Sequence, residues 1–485
     1  MYSSEPLPIG ADLRGGYARP VDENQLRSRS LWLDQLDGRV AARPALSGDI
    51  DVDVAIVGGG YTGLWTAYEL LRSDPSMRVL VIEREVVGFG ASGRNGGWCV
   101  GELAGGLEGA VASSGRDAGV RMTRAIMDTV DEVGRVVDAE EIDCGFVKGG
   151  VIRLARTAPQ RDRQCHEIAD YRDHGFGDDV LRLLDPSEAS DRLAATGVLG
   201  GVHYGPGARV QPARLARGLA DAVERLGGVI VEETAALDLV VRTPTTAAHV
   251  VTDRGTVRAD IVVRATEGYT RDLPGMRRDL APLYSLMVAT EPLPDELWEQ
   301  IGLRHMETFA DDRRMVIYGQ RTTDGRIAFG GRGAPYRFGS GIDPATEASS
   351  TIHDRIVSTL VELFPMLRDV RITHRWGGVL GVPRDWVPSV GLDRSTGRAW
   401  AGGYVGEGVA ATNLAGRTLA ALITGGNSDL VTLPWVDHRS KRWEPEPLRW
   451  SGINGGLRLA GWVDEYEERH QRVPRFASVL DRIVK

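Results

Sequence analysis

The stretch DVDVAIVGGGYTG, residues 51–63, decides the fold of this chain. Its first seven residues are mostly β-branched or apolar, which is typical of a strand buried on both faces of a parallel sheet. The glycines have the spacing Gly-x-Gly-x-x-Gly, and apolar residues then recur with helical spacing from Leu64 to Leu71. A second apolar strand, VLVI at residues 79–82, follows. Strand, glycine turn, helix and strand together predict a Rossmann-like dinucleotide-binding unit.

Each position of this unit has a physical role in holding a dinucleotide. Gly58 allows the tight turn, Gly60 lets the backbone approach a pyrophosphate, and Gly63 lets helix and strand pack closely. The helix N-terminus offers free N–H groups to the phosphates. Glu83, 20 residues after Gly63, is expected to bind the adenosine ribose. Because an acid there repels a 2′-phosphate, NADP is disfavoured, while NAD and FAD both stay open. The candidate cofactor-binding residues of the unit are Gly58, Gly60, Tyr61, Thr62, Gly63, Glu83 and Arg84.

A polar, glycine-dense loop follows the second strand, VGFGASGRNGGW at residues 87–98. An ordinary nicotinamide dehydrogenase continues with another helix and strand. Here the backbone N–H groups, the Ser92 hydroxyl and the Arg94 guanidinium are suited to line the remainder of an extended dinucleotide. The alternative is a solvent-exposed flexible linker. The candidate cofactor-binding residues of the loop are Ala91, Ser92, Arg94, Asn95, Gly96 and Gly97.

The segments VAIVGGGYTGL at 54–64 and GASGRNGG at 90–97 give the chain a family resemblance. The chain resembles the flavoprotein amine and amino-acid oxidases of the D-amino acid oxidase superfamily, in particular the γ-glutamylputrescine oxidase and monomeric sarcosine oxidase branches. The resemblance implies FAD as the cofactor. It also implies that a helix starting at Gln211 and the strands after it form a second piece of the FAD domain, with the backbone of Ala236 against the adenine.

A third piece of the FAD domain is implied by AGGYVGEGVA at residues 401–410, which opens a helix ending at Gly425. In the resembled family, such a turn and helix N-terminus stabilise the negative charge of a reduced flavin at its N1/O2 edge. Many relatives have histidine where this chain has Glu407, and we expect this carboxylate to face solvent or an arginine. The candidate residues of this piece are Gly403, Gly406, Glu407, Gly408 and Val409.

The expected fold class is α/β (α+β), with a Rossmann-like FAD-binding domain of the glutathione-reductase type. A second domain with a mixed or antiparallel sheet would bind substrate. Asp185-Pro-Ser-Glu188 predicts a capped helix start in that second domain. The expected organisation is an N-terminal arm at 1–40, a discontinuous FAD-binding domain at 41–110, 207–282 and 374–430, a substrate domain at 111–206 and 283–373, and a C-terminal tail at 431–485.

The resemblance implies oxidation of a C–N bond in a small primary or N-alkylated amine. Hydride passes to flavin N5, the resulting imine hydrolyses to a carbonyl product, and O2 is reduced to H2O2. The cation that holds an α-carboxylate, implied near Ala410, is missing, as is the oxygen-activating lysine implied around Ala328. Aromatic faces hold an alkyl amine by apolar and cation–π contacts. The candidate catalytic residues, as the substrate wall, are Trp98, Tyr318, Trp376 and Tyr404.

Three alternative functions stay open. The first is an FAD-dependent amino-acid oxidase or dehydrogenase, of glycine or D-amino acid type, that uses another electron acceptor. The second is an NAD-dependent Rossmann dehydrogenase, and the third is a flavin-binding protein without turnover. Lys148 replaces the missing cation only if folding brings it to the flavin.

Composition limits the partners and the location of the protein. The chain has 485 residues and a formal net charge of −9, which argues against nucleic acid or an anionic membrane surface as a partner. No apolar stretch is long enough to span a membrane. Three irregularly spaced cysteines and scattered histidines indicate neither a disulfide framework nor a metal site. We expect a cytoplasmic protein with non-covalent FAD, and a tryptophan-rich tail that serves packing or homo-oligomerisation.

Overall fold

The computed structural model describes residues 22–38, 40, 42–475 and 477. Most of the predicted N-terminal arm, residues 1–21 and 39, lies outside the described residues, as does the end of the predicted tail. The described chain forms two eight-stranded sheets and one two-stranded sheet. Each large sheet carries its own hydrophobic core.

The first large sheet is the one predicted from residues 51–82. The strand Ile50–Val57 pairs in parallel with Val79–Ile82 on one side and with Thr256–Arg264 on the other. Parallel pairing continues outward to Val229–Val231 and to Arg398–Gly402. The path across the sheet is Ser389–Asp393, Arg398–Gly402, Thr256–Arg264, Ile50–Val57, Val79–Ile82 and Val229–Val231, with His249–Thr252 and Ala236–Val240 added beside Thr256–Arg264.

The second large sheet is mainly antiparallel. Its only parallel pair within the described residues is Val151–Ala155 with Thr308–Asp311. The order is Ile372–Val382, Ala281–Thr290, Ile327–Gly331, Ile317–Arg321, Thr308–Asp311, Val151–Ala155, Gly200–Tyr204 and Leu181–Leu184. The predicted domain boundary at residues 373 and 374 falls inside the strand Ile372–Val382. The small sheet pairs Trp98–Val100 with Gly207–Arg209. The predicted class, a Rossmann-like domain with a mixed or antiparallel second sheet, is confirmed.

Helices cover the first sheet and flank the second. The helix start predicted at Asp185 is present. The Asp185 side chain accepts hydrogen bonds from the backbone N–H groups of Ser187 and Glu188 in a capping box. The α-helices are Glu23–Arg27, Leu31–Asp34, Tyr61–Ser73, Gly106–Ser114, Arg116–Ala139, Ala158–Asp173, Pro186–Arg192, Pro212–Arg225, Asp295–Ile301, Pro344–Glu347, Ser350–Leu363, Gly408–Thr424 and Leu448–His470. Short 3-10 helices occur at Ala91–Gly93, Glu267–Asp272, Phe338–Ser340, Pro365–Leu367 and Asp429–Thr432.

Two helices that follow parallel strands of the first sheet pack against each other. Tyr61–Ser73 follows Ile50–Val57, and Gly408–Thr424 follows Arg398–Gly402. Gly416 permits their close approach, since a Cβ there would lie 2.7 Å from the backbone carbon of Trp65. Because parallel strands present their carboxyl ends at one edge, both helix N-termini meet at the same edge of the sheet. This edge brings the separated glycine-rich turns together.

Candidate cofactor and active site

A cavity opens at this edge of the first sheet. Its lining residues come from all three glycine-rich segments, which suits an elongated molecule that reaches from one to the next. Fourteen of the residues predicted for the site line it: Gly58, Gly60, Tyr61, Thr62, Glu83, Arg84, Ala91, Ser92, Asn95, Ala236, Tyr404, Gly406, Gly408 and Val409. The other predicted residues, Gly63, Arg94, Gly96, Gly97, Trp98, Tyr318, Trp376, Gly403 and Glu407, are not among its lining residues.

The glycine turn is too tight for side chains. Gly58 has φ +118°, and a Cβ there would lie 2.4 Å from the carbonyl oxygen of Ala265. A Cβ at Gly63 would lie 2.0 Å from the carbonyl oxygen of Gly58. Gly63 therefore does not line the cavity. Its lack of a side chain lets the helix begin in close contact with the strand that precedes the turn. The N-terminus of that helix points into the cavity through Tyr61 and Thr62.

The acid at the end of the second strand lies in the cavity, as the motif predicts. One oxygen of Glu83 accepts from the Gly59 N–H at 2.7 Å and the other from the Glu85 N–H at 2.9 Å. Burial raises the pKa of Glu83 to about 7, against these hydrogen bonds, which lower it. Neighbouring Arg84 lies over the ring of Tyr269, 5.1 Å from its centroid. This end of the cavity carries the groups that suit a ribose and an adenine.

The polar loop after the second strand is fixed in place by several hydrogen bonds. The Tyr61 N–H donates to Ser92 Oγ at 2.9 Å, which ties the loop to the first helix. Trp32 Nε1 donates to the carbonyl of Asn95 at 2.8 Å, and Gln320 Nε2 donates to that of Gly96 at 2.6 Å. The loop is therefore part of the packed structure, unlike the flexible linker considered as its alternative.

Arg94 takes a different place from the one predicted for it. Its side chain is fully buried and its Nη1 lies 2.7 Å from Glu347 Oε2. Its Nη2 donates to Tyr269 Oη at 3.2 Å. The guanidinium thus holds the loop to the helix Pro344–Glu347 and does not line the cavity. Sequence reasoning missed this role because Glu347 is 253 residues away.

Sequence reasoning also missed the segment that follows the strand Thr256–Arg264. The available signal was a third apolar strand of the parallel sheet, ending in ATEGY at residues 265–269. Glu267 has φ +41°, and its carboxylate accepts from the N–H groups of Gly403 and Tyr404 at 3.1 and 3.2 Å. It therefore joins this segment to the third glycine turn. The lining residues that were not predicted are Val57, Ile82, Phe89, Gly90, Ala265, Thr266, Glu267, Tyr269, Asp272, Leu273, Val379, Leu380 and Thr412.

The third glycine turn brings Glu407 near Arg332, without an ion pair between them within the described residues. Gly406, Gly408 and Val409 line the cavity at the start of the second helix. Burial raises the pKa of Glu407, and the nearby guanidinium of Arg332 lowers it. Nη2 of Arg332 donates to the carbonyl of Val405 at 2.6 Å. Glu407 thus has an arginine near it, as expected, and Arg332 is a cation that sequence reasoning did not place here.

The four candidate aromatic residues occupy three different environments. Trp98 and Tyr318 contact each other edge to face, with ring centroids 6.0 Å apart, and Tyr318 Oη lies 2.6 Å from Ser285 Oγ. Tyr404 lines the cavity and its hydroxyl is 3.2 Å from that of Thr62. Trp376 is 2% exposed, and its Nε1 donates to the carbonyl of Arg94 at 2.9 Å. This burial does not match the accessible wall expected of Trp376.

Other candidate groups lie away from the cavity. Lys148 is half exposed and pairs with Asp131 on the surface, so folding does not bring it to the site. None of the three cysteines lines the cavity, and Cys99 and Cys144 are buried. The described residues contain no group of three or more histidine, cysteine, aspartate or glutamate side chains arranged to hold a metal ion. Among the same residues, no helix has the length and apolar character needed to cross a membrane.

The sequence between residues 53 and 422 matches the family described as DAO, FAD dependent oxidoreductase. The chain belongs to this family. A relative named gamma-glutamylputrescine oxidoreductase, from Escherichia coli (strain K12), is 30% identical over 386 residues, which cover 78% of this chain and 85% of the relative. A "Probable oxidoreductase OrdL" from Rhizobium meliloti (strain 1021) is 31% identical over 392 residues, covering 80% and 86%.

The fold is also shared with solved structures. Glycine oxidase from Geobacillus kaustophilus is similar with a TM-score of 0.67 and 21% sequence identity, covering 80% of this chain and 99% of that one. The protein is thus an FAD-dependent oxidoreductase, as the resemblance implied, and the NAD-dependent alternative is wrong.

The cavity of this DAO-family protein fits FAD. Its lining combines the acid Glu83, the glycine turn at Gly406 and the N-terminus of the helix Tyr61–Ser73. Free N–H groups there suit the pyrophosphate. The start of the helix Gly408–Thr424 suits the negative edge of a reduced flavin. When bound, FAD would accept two electrons from the substrate. The residues around it would orient the flavin and stabilise its charge.

The carboxyl of Glu267 predicts a pH dependence of stability. Burial raises its folded pKa to about 7 from an ordinary value of 4.5. A raised pKa means that the stability from this group is complete below pH 4.5 and is lost as pH rises through 7. Glu267→Gln stays neutral, so between these pH values the wild-type FAD-free protein should lose more free energy of unfolding than the variant, by at most ~3 kcal/mol. Denaturant unfolding at several pH values measures this difference.

Glu468→Gln is the matched control for this experiment, because Glu468 is exposed on the helix Leu448–His470. Its stability should follow the wild-type pH dependence. Parallel pH curves for the wild type and Glu267→Gln would contradict the assignment.

Proposed function

We propose that the protein oxidises the C–N bond of a small primary or N-alkylated amine. The α-carbon of the neutral amine loses a hydride to flavin N5 and the nitrogen loses a proton, which leaves an imine. Water then hydrolyses the imine to a carbonyl compound and a free amine or ammonia. The two electrons pass to O2, which takes up two protons and forms H2O2.

The observation that carries this proposal is the proximity of two carboxylates, Glu102 and Glu407, near the third glycine turn. Within the described part of the chain, the carboxylates of Glu102 and Glu407 form no hydrogen bond and no ion pair. Burial, with a smaller contribution from the charge of Glu407, raises the pKa of Glu102 to about 7, against the attraction of Arg153, which lowers it. Glu407 acts electrostatically on Tyr318 as well. These groups therefore share one region, and each carboxylate, when ionised, attracts a cationic amine even though Arg332 lies near Glu407.

The same carboxylates suit the proton transfer that the reaction needs. An amine is mostly protonated at neutral pH, and its ammonium form carries no lone pair to assist hydride loss. A carboxylate whose pKa is raised toward neutrality is a suitable proton acceptor at that pH. The edge-to-face pair of Trp98 and Tyr318 offers aromatic surface beside these acids. Such faces hold an alkyl ammonium by cation–π and apolar contact.

Anaerobic mixing of the FAD-loaded protein with amines tests the proposal. Polyamines, N-methylated amines and amino acids of both hands form the panel. We expect amines without an α-carboxylate to bleach the flavin absorbance, and admission of air to restore it with formation of H2O2. No bleaching by any compound would favour a flavin-binding protein without turnover, and bleaching without H2O2 would indicate another electron acceptor.

Arg332 supports a second candidate, oxidation of an amino acid. Its side chain is partly buried next to Gly406, and among the described residues its one hydrogen bond is from Nη2 to the carbonyl of Val405. A guanidinium in this place suits bidentate binding of a substrate carboxylate. Preferential bleaching by amino acids, lost in Arg332→Met, would support this function. Retained amine oxidation in the same variant would support the first.

Tyr318→Ala is predicted to impair catalysis without loss of the cofactor. The ring lies against Trp98 and outside the cofactor cavity, so its removal frees the substrate to move but leaves the FAD contacts intact. We expect kcat/KM to fall ~10- to 100-fold, with a flavin-to-protein ratio equal to that of the wild type. Tyr318→Phe keeps the aromatic face and should retain most activity. Trp450→Ala, on the exposed C-terminal helix, is the control. Equal kcat/KM for Tyr318→Ala and wild type would contradict a role in the substrate wall.

A further inference from the structure

Four arginines gather on the outer face of the first sheet, away from the helix that starts at Tyr61. Arg398 is the register partner of Val262, so Arg398 and Arg264 lie on the same face of neighbouring parallel strands. The guanidinium of Arg439 lies over the Trp400 ring, 3.7 Å from its centroid. Nε of Arg442 lies 3.2 Å from Asp279 Oδ1. We call Arg264, Arg398, Arg439 and Arg442 the arginine cluster.

Buried donors of the arginine cluster lack partners. Nε and Nη1 of Arg264 and Nε of Arg398 are inaccessible to solvent, and none of them has a hydrogen-bond partner among the described residues. Burial of a guanidinium is costly unless its donors and its charge are satisfied. Orphaned donors in a folded protein therefore call for an explanation, such as a bound ion.

The negative charge around the cluster does not balance the positive charge. Burial and the charge of Arg398 lower the pKa of Arg264 to about 10, and the attraction of Asp279 and Glu267 does not restore it. Burial likewise lowers the pKa of Arg398, together with the charges of Arg439 and Arg442.

Both nearby acids also have other neighbours. Oδ1 of Asp279 is paired in charge with Nε of Arg442 at 3.2 Å, although it forms no hydrogen bond within the described residues, and Glu267 accepts from two backbone N–H groups of the third glycine turn. Arg398 also feels the carboxylate of Asp393, but Ser395 and Thr396 donate hydrogen bonds to that group. The cluster thus keeps an excess of positive charge with directed donors, which are the features of a site for an oxyanion.

We propose that the arginine cluster binds a phosphate group, either inorganic phosphate or a small phosphate monoester, at a site separate from the cofactor cavity. None of the four arginines lines that cavity, so the pyrophosphate of FAD is not their partner. Arg264 and Arg398 lie on adjacent strands, and although Nη2 of Arg398 contacts Met276 Sδ at 3.7 Å, their unpartnered donors are of the kind that binds the oxygens of a phosphate. Arg439 and Arg442 stand at the exposed side and complete the neutralisation of its charge.

Calorimetric titration of the FAD-loaded protein tests this site. Inorganic phosphate and glycerol 3-phosphate are titrated separately at fixed pH and constant ionic strength. We expect saturable binding of one phosphate group per chain, weakened about tenfold or more by Arg264→Met. Because a change at buried Arg264 can impair folding, Arg439→Gln on the exposed side is measured in parallel and should also weaken binding. Arg116→Gln, which removes a charge from the exposed pair with Asp173, should leave binding unchanged.

The outcomes separate the possibilities. Tighter binding of inorganic phosphate or of the monoester identifies the source of the phosphate group and supports the site. Absence of saturable binding to the wild type overturns the proposal, as does equal affinity in the wild type, Arg264→Met and Arg439→Gln. Binding seen only after removal of FAD would assign the phosphate to the cofactor cavity and would overturn it too.

Discussion

Gly63→Ala is expected to yield protein that is purified without FAD. A Cβ at this position would lie 2.0 Å from the Gly58 carbonyl oxygen and 3.1 Å from a methyl group of Ile56. The helix Tyr61–Ser73 must then move off the strand Ile50–Val57, and the N–H groups that it offers to the pyrophosphate move with it. Overpacking against rigid backbone should lower the free energy of unfolding by about 3 kcal/mol. Flavin absorbance per chain and denaturant unfolding measure the two effects.

Gly455→Ala provides the matched control, because it makes the same substitution inside a helix where the new Cβ would have nothing within 4 Å apart from adjacent residues and the helix's own backbone. Alanine favours helix over glycine by up to ~1 kcal/mol, so this variant should be equally or more stable and retain FAD. A Gly63→Ala protein with the wild-type flavin content would refute the close-packing role of Gly63.

Glu347→Ala is expected to have the second large effect, on stability. The variant leaves the fully buried guanidinium of Arg94 without the carboxylate that lies 2.7 Å away. Removal of one partner from a buried ion pair typically costs ~3–5 kcal/mol. Arg94 belongs to the loop whose Ala91, Ser92 and Asn95 line the cavity. We therefore expect weaker FAD binding as well, measured by fluorescence titration of the FAD-free protein.

Asp178→Ala is the control for the ion pair, since it breaks an exposed pair with Arg172. Exposed ion pairs contribute little to stability, so the free energy of unfolding of this variant should equal that of the wild type. Glu347→Gln keeps a hydrogen-bond acceptor but no charge. Its free energy of unfolding should lie between those of Glu347→Ala and Asp178→Ala. Wild-type stability in Glu347→Ala would show that Arg94 finds another partner.

The local part of the site could be predicted from the sequence because its signals are short in range. The glycine turn, the helix from Tyr61 and the acid at Glu83 occupy one βαβ unit, in which spacing alone fixes relative position. The third turn, with Gly406 and Gly408, was found by composition and by resemblance. In each of these turns the backbone geometry requires glycine at fixed positions. The turns can therefore be recognised from the spacing of glycines in the sequence.

The parts that sequence reasoning missed depend on contacts between distant segments. Arg94 meets Glu347 across 253 residues, and nothing in either neighbourhood marks the pair. Arg332, which directly follows the strand Ile327–Gly331 of the other sheet, reaches the turn at Val405. Trp376 is aromatic, as expected of a residue in the substrate wall, but its ring packs against Trp32 in the core. Such pairings follow from how the two sheets meet, which periodicity and spacing do not encode.

The sheet that carries the cofactor cavity takes its strands from distant parts of the chain, and this has a consequence for biosynthesis. A nascent chain that has emerged only to residue 397 still lacks the strand Arg398–Gly402 and the helix Gly408–Thr424. Gly406, Gly408 and Val409 line the cavity, so it has no complete wall at that stage. Complete enclosure of FAD thus requires that the helix Gly408–Thr424 has been synthesised and has joined the sheet.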